Sequence, residues 1–178
     1  MLQNYNKWKV LQVFFNTPLA EGGRQLREIS RKIGLAPPSV KNYLTKLKQE
    51  QLVVEKKNRV LGHPVYTANR DHDAFKFYKK IDCLARIKES GLLQELQDKF
   101  LPSVIILFGS AARGEDTEHS DIDLFIGAKE EKIKLDKYEK VLARHINLFF
   151  DPDFHQLSKE LRNNLLNGII LSGYVKVY

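Results

Sequence analysis

The chain has 178 residues, 29 Lys+Arg against 22 Asp+Glu for a net charge of +7, and a single cysteine, Cys83. That length suits one medium domain or two small ones, and one cysteine excludes an internal disulfide and argues against a cysteine zinc site. No apolar run reaches the roughly 18 residues of a spanning helix and Met1 to Val10 lacks a signal-peptide core, so a cytoplasmic protein with no membrane partner is expected.

The charge divides the chain. Residues 1–70 carry 13 Lys+Arg against 4 Asp+Glu, net +9, while residues 71–178 are net −2. A basic small domain beside a near-neutral one points to nucleic acid as a partner of the first, because phosphate neutralisation dominates such affinity.

In chain order, residues 5 to 15 put Trp8, Leu11 and Phe15 on one helical stripe. Asn16-Thr17-Pro18 ends it and Gly22-Gly23 opens a turn. A second amphipathic helix from about Gln25 turns Leu26, Ile29 and Ile33 inward and stops at Gly34, a good left-handed C-terminal position. After Leu35-Ala36-Pro37-Pro38-Ser39, a third helix buries Val40, Tyr43, Leu44 and Leu47 and shows Lys41, Asn42, Thr45, Lys46, Lys48 and Gln49. Two helices joined by about four residues, the second basic outside, form a helix-turn-helix whose second helix would enter the major groove. A lysine-rich face is also what an ordinary solvated helix shows.

Two strands follow, Leu52 to Lys57 and Pro64 to Ala68, around a basic turn holding Arg59. The sequence from Ile33-Gly34-Leu35 through Leu44 and Leu47 to Leu52-Val53-Val54, closed by Val65-Tyr66, resembles the winged helix-turn-helix of bacterial and archaeal transcription regulators. The resemblance covers about Lys7 to Asn69 and implies double-stranded DNA as partner. Ser39, Lys41, Asn42, Thr45, Lys46, Lys56, Lys57 and Arg59 would then be the contacting residues. Gln51 stands where such domains often have Gly, so a less sharply capped helix end is expected. Domain bounds of 1–70 for this unit, 71–100 for a helical connector and 101–178 for the rest are expected. The connector stripe of Phe75, Tyr78, Ile81, Leu84 and Ile87 packs on the protein's own domains or supplies a dimer surface.

Val104-Ile105-Ile106-Leu107-Phe108 is continuously apolar and β-rich, a strand buried on both faces. At its end Gly109 lets a ligand approach the backbone, and Ser110 opens a short helix toward Arg113, a charge suited to an anion. Ten residues on, Asp121-Ile122-Asp123-Leu124 alternates faces as a strand, so both acids share one face. Two adjacent carboxylates repel unless a divalent cation lies between them, and such a pair suits Mg2+ or Mn2+ with substrate phosphates.

This Gly-Ser, ten-residue connector and Asp-x-Asp pattern between apolar strands resembles the DNA polymerase beta superfamily, above all its minimal nucleotidyltransferases. The resemblance covers Leu101 to Tyr178 and implies that Gly109 and Ser110, with Arg113 and Ser120 beside them, hold a nucleoside triphosphate. It also implies that Asp121 and Asp123 bind metal. The expected fold class is therefore α+β, with an N-terminal winged helix-turn-helix and a C-terminal mixed sheet with flanking helices. A helix near Glu130 to Arg144, a strand His145 to Phe150, a helix Asp153 to Asn164 and a terminal strand or hairpin from Gly168 complete the expected elements.

Such enzymes place a third acid on the strand that here reads Ile146-Asn147-Leu148. Asn147 offers a neutral carbonyl oxygen to a cation but cannot act as a general base at neutral pH. Asp151 shares its parity but sits about 13 Å further along a strand. Asp116 and Glu118 in the connector read as solvated turn residues in preference to acids that swing in to replace the third one, and His119, His145 and His155 show no ligand spacing. Two functions stay open. One is a metal-dependent transferase moving a nucleoside monophosphate to a hydroxyl acceptor, alone or with a homodimer or protein partner completing the site. The other is a nucleotide-binding transcription regulator whose transferase domain is weakened or inactive. Seventy-eight residues from Leu101 onward leave little room for a polymerase's template channel.

Overall fold

A computed structural model describes residues 5–18, 22–57 and 62–176. The chain divides into two compact units, Met1–Lys79 and Lys80–Tyr178.

In the first unit, helices α1 (Tyr5–Asn16), α2 (Leu26–Ile33) and α3 (Pro37–Gln49) precede an antiparallel hairpin of β1 (Val53–Lys57) and β2 (Pro64–Ala68). The expected stripes fill the core: Leu11, Phe14, Ile29, Val40, Leu44 and Leu47 are buried. The Phe15 and Trp8 rings meet edge to face with centroids 5.6 Å apart. Arg24 adds a short antiparallel bridge to the hairpin, exchanging backbone hydrogen bonds of 2.8 and 2.9 Å with Tyr66. This arrangement is compatible with a winged helix-turn-helix.

Both helix ends around the turn follow from local chemistry. Gly34 closes α2 in the left-handed region at φ 68°. Pro37 and Pro38 occupy the first turn of α3, where a missing N–H costs nothing. The weaker cap expected at Gln51 is corrected. Gln51 itself takes φ 56°, its N–H reaches Lys48 O at 3.0 Å and Leu52 N reaches Leu47 O at 2.9 Å, the two bonds of a full Schellman cap. Asn69 Nδ2 donates to the Gln51 carbonyl at 2.8 Å, which helps offset the roughly 1–2 kcal/mol of a left-handed non-glycine residue.

The second unit is built on a four-stranded mixed sheet in the order β5 (Ile146–Phe150), β4 (Ile122–Ile126), β3 (Val104–Phe108), β6 (Ile169–Gly173). β4 and β5 run parallel; β3 is antiparallel to both β4 and β6. All five residues of β3 are buried, as a central strand covered on both faces requires. Ile105, Ile106 and Leu107 have no exposed surface, worth about 1.5–3 kcal/mol each in apolar burial.

Helices α4 (Asp73–Glu89), α5 (Leu92–Phe100) and α7 (Asp136–Leu142) supply Ile87, Leu92, Leu96, Tyr138 and Leu142 to a core with Ile105, Leu107, Ile122 and Leu124. On the opposite sheet face, Leu165 and Leu161 of α8 (Lys159–Leu166) pack with Val104, Ile106, Phe108 and Phe125. The stretch 71–100 thus forms α4 and α5.

Two expected helices are shorter than the pattern suggested. The charged run Lys129 to Lys134 stays outside α7. The helix expected from Asp153 begins as a short 3-10 turn, because the Asp153 carboxylate accepts from His155 N at 2.9 Å. Ser158 then caps α8 by accepting from Leu161 N at 3.2 Å. Among the described residues no helix is long and apolar enough to cross a membrane.

Candidate functional site

The sheet register assembles the site. Phe108 is the β3 partner of Asp123, and Asp123 is the β4 partner of Asn147 on β5. Cross-strand partners project to the same face, so the three form one row, and Asp121, two residues before Asp123, lies on that face just ahead of β4. Gly109, at φ 72°, turns the chain out of β3 into the short helix α6 (Gly109–Arg113).

One side chain joins the two acids. Asn147 Nδ2 donates to Asp121 Oδ2 at 3.1 Å and to Asp123 Oδ1 at 2.9 Å. Its amide hydrogens sit at the point on which the two carboxylates converge, relieving their repulsion. A half-turn of the amide would put its carbonyl oxygen there instead, making three oxygens of which two are anionic. That donor set fits a hard divalent cation completed by water or phosphate oxygens. Among the described residues no group of three or more His, Cys, Asp or Glu side chains gathers as a metal site.

The remaining predicted phosphate-side residues are only partly brought together. Gly109 and Ser110 lie at the end of β3 beside the acids. Arg113 is exposed and its Nε donates to Glu115 Oε2 at 2.9 Å, so its charge is shared with an acid. The Ser120 hydroxyl accepts from Thr117 N at 2.9 Å and bonds the Thr117 hydroxyl at 3.2 Å. It ties the turn that leads into Asp121. Asp151 caps its own turn by accepting from Asp153 N at 2.8 Å.

Sequence reasoning missed the brace behind this turn. Arg144 Nη2 donates to Asp116 Oδ2 at 2.9 Å and Nη1 to the Ser120 carbonyl at 3.0 Å, with the two side chains 10% and 6% exposed. Asp116, expected as a solvated turn residue, is thus a buried ion-pair partner, which is a correction. Twenty-eight residues separate the pair, and no local spacing announces it. Main-chain pairing of Ile122 N with His145 O at 2.9 Å fixes the same corner. Burial pushes the nearby Cys83 thiol up to about 12, with Asp116 adding to the shift and Arg144 and Arg86 opposing it. His145 Nδ1 meets Glu139 Oε1 at 2.6 Å.

In the first unit Ser39, Lys41, Asn42, Thr45 and Lys46 are all exposed on α3, and Lys56 and Lys57 are exposed on β1. The Thr45 hydroxyl is turned back onto Lys41 O at 3.0 Å. Lys48 forms an ion pair with Glu55. Arg59 lies outside the described residues.

Residues 89–171 match a family model described as a nucleotidyltransferase domain. Over 81 residues the chain is 36% identical to a putative protein adenylyltransferase of Methanocaldococcus jannaschii, an alignment covering 40% of this chain and 81% of that protein. No solved structure matches the chain.

Proposed function

Because the chain belongs to the nucleotidyltransferase domain family, we propose that it is a nucleotide-binding regulator in which a DNA-binding winged helix-turn-helix accompanies a transferase domain of weakened turnover. The observation that carries this reading is Asn147, whose amide donates to both Asp121 and Asp123 where the superfamily resemblance implies a third carboxylate.

Asp121 and Asp123 would hold a magnesium or manganese ion, to which Asn147 could offer its carbonyl oxygen. The cation, when bound, neutralises triphosphate charge and polarises the phosphoryl group. Gly109 leaves the backbone open to the phosphates and Ser110 offers a hydroxyl to them. Asn147 can orient the two acids but cannot take the proton of an acceptor hydroxyl, because an amide has no basic site at neutral pH. Binding therefore survives better than chemistry. In the first unit, Lys41, Asn42 and Lys46 on α3 with Lys56 and Lys57 on β1 meet DNA phosphate and groove.

The second reading is an active transferase. It is favoured by the presence of both metal acids and by the similarity to the archaeal putative protein adenylyltransferase; on that reading the acceptor is a protein hydroxyl and the base comes from the acceptor or a partner chain.

Calorimetric nucleotide titration with magnesium, paired with a radiolabel transfer assay in native extract, separates the two. The regulator predicts metal-dependent binding, with transfer that is slow in wild type and rises on Asn147→Asp by up to the ~10²- to 10⁴-fold typical of a general base. Rapid transfer by wild type, unchanged in Asn147→Asp, overturns it in favour of the enzyme.

A further inference from the structure

Phe149 is an exposed aromatic ring on the sheet. It lies on edge strand β5, two residues beyond Asn147, and so projects to the face that carries Asp121 and Asp123. On the inner strands of that face the large apolar side chains are covered: Ile106, Phe108 and Phe125 are 0%, 8% and 1% exposed; on the far edge strand β6, Ile170, the register partner of Ile106, is 50% exposed. Phe149 is 42% exposed. Its ring holds a flat aromatic surface open to solvent on the face that carries the acids.

Its orientation is fixed. The Phe108 ring meets it edge to face, with centroids 5.3 Å apart and planes at 68°, so the ring is braced by the residue that precedes Gly109. Two residues along a strand separate it from Asn147 by about 6.7 Å. That is close to the span of a ribose, the group joining the phosphates of a nucleotide to its base.

Resting on the nucleotide-binding reading above, we propose that Phe149 is the platform on which the base of the bound nucleotide stacks. With the phosphates at Gly109, Ser110 and the two acids, the sugar crosses the row of Asn147 and the base reaches the Phe149 ring. A ring face accepts any base, so the subsite is tolerant of base identity.

The test compares the tightest-binding of ATP, GTP, CTP and UTP with inorganic tripolyphosphate, which carries the same phosphates and no base, in magnesium buffer. Phe149→Ala, checked for an unchanged unfolding midpoint, is expected to lose about 5- to 150-fold in nucleotide affinity, the range of one lost base–aromatic stack, while tripolyphosphate affinity stays the same. Phe149→Trp is expected to retain affinity and show fluorescence quenched by nucleotide and not by tripolyphosphate; Trp8 in the first unit is the protein's single native tryptophan. Unchanged nucleotide affinity in Phe149→Ala, or an equal fall for both ligands, overturns the platform and leaves the nucleotide site standing. Failure of wild type to bind either ligand overturns that site and the platform with it.

Discussion

Gly109, just past the end of β3, leaves the space that Asp123 of β4 occupies: a Cβ on residue 109 would stand 2.5 Å from Asp123 Oδ2. The same glycine has φ 72°, so a side chain there meets backbone strain as well as a carboxylate. The glycine needed to turn the chain is therefore also the one that sets where the second acid rests. Gly109→Ala is expected to cost about 1–2 kcal/mol of stability from the left-handed backbone and to displace Asp123 from the Asn147 amide. Denaturant melts should show the modest loss, and calorimetry should show magnesium-dependent nucleotide binding reduced far more than stability. Wild-type affinity in Gly109→Ala would show that Asp123 can shift without consequence.

The Asp116–Arg144 pair makes a different kind of claim, about the turn that delivers Asp121. Removing one partner leaves the other's charge almost out of water, which costs about 3–5 kcal/mol; removing both costs much less, because the desolvation of each ion disappears with it. Arg144→Met should therefore be strongly destabilising, and Arg144→Met with Asp116→Asn should recover much of the loss. A double variant as unstable as the sum of the singles would mean that the bridge to the Ser120 carbonyl, not the ion pair, carries the effect.

What the sequence shows plainly is whatever is coded by local period. Strand parity puts Asp121 and Asp123 on one face, the apolar run Val104 to Phe108 marks the central strand, and Ile146-Asn147-Leu148 places an amide where an acid is expected. Each is a statement about residues a few positions apart. The brace from Arg144 to Asp116 and the ring contact of Phe149 with Phe108 depend on which strands become neighbours, and nothing near those residues encodes it. Gln51 misled for a third reason: a cap was judged by residue preference, whereas Asn69 and the neighbouring backbone supply the bonds that let glutamine stand in a glycine's place.

Cys83 gives a pH test of the second unit's core. Its thiol is raised from an ordinary value near 9 to about 12 in the folded protein, so the unfolded chain loses this proton first. Below pH 9 the two states hold it equally. Between pH 9 and about 12 stability falls as pH rises, by at most about 1.4 kcal/mol per pH unit. Cys83→Ala should remove that component, seen as a flatter dependence of the denaturant midpoint on alkaline pH. The same slope in Cys83→Ala would assign the alkaline loss to other groups.

The exposed lysines of the first unit divide into two kinds, and a DNA titration can tell them apart. Lys48 is held by Glu55, so releasing it to a phosphate would first break that pair. Lys41 and Lys46 stand on the outer face of α3, and Lys56 and Lys57 on β1. If this surface meets duplex DNA, log affinity should fall with log salt at a slope of about −0.9 per phosphate neutralised. Lys46→Ala should weaken binding to all sequences and lower the slope by about 1; Asn42→Ala should instead relax preference among sequences if its amide reads a base edge. Lys48→Ala should leave the salt slope nearly unchanged, because Lys48 is held by Glu55 and does not itself neutralise a phosphate. Duplex affinity that is unchanged in Lys46→Ala and independent of salt would leave the basic face of α3 as solvated surface and remove DNA from the partners of this protein.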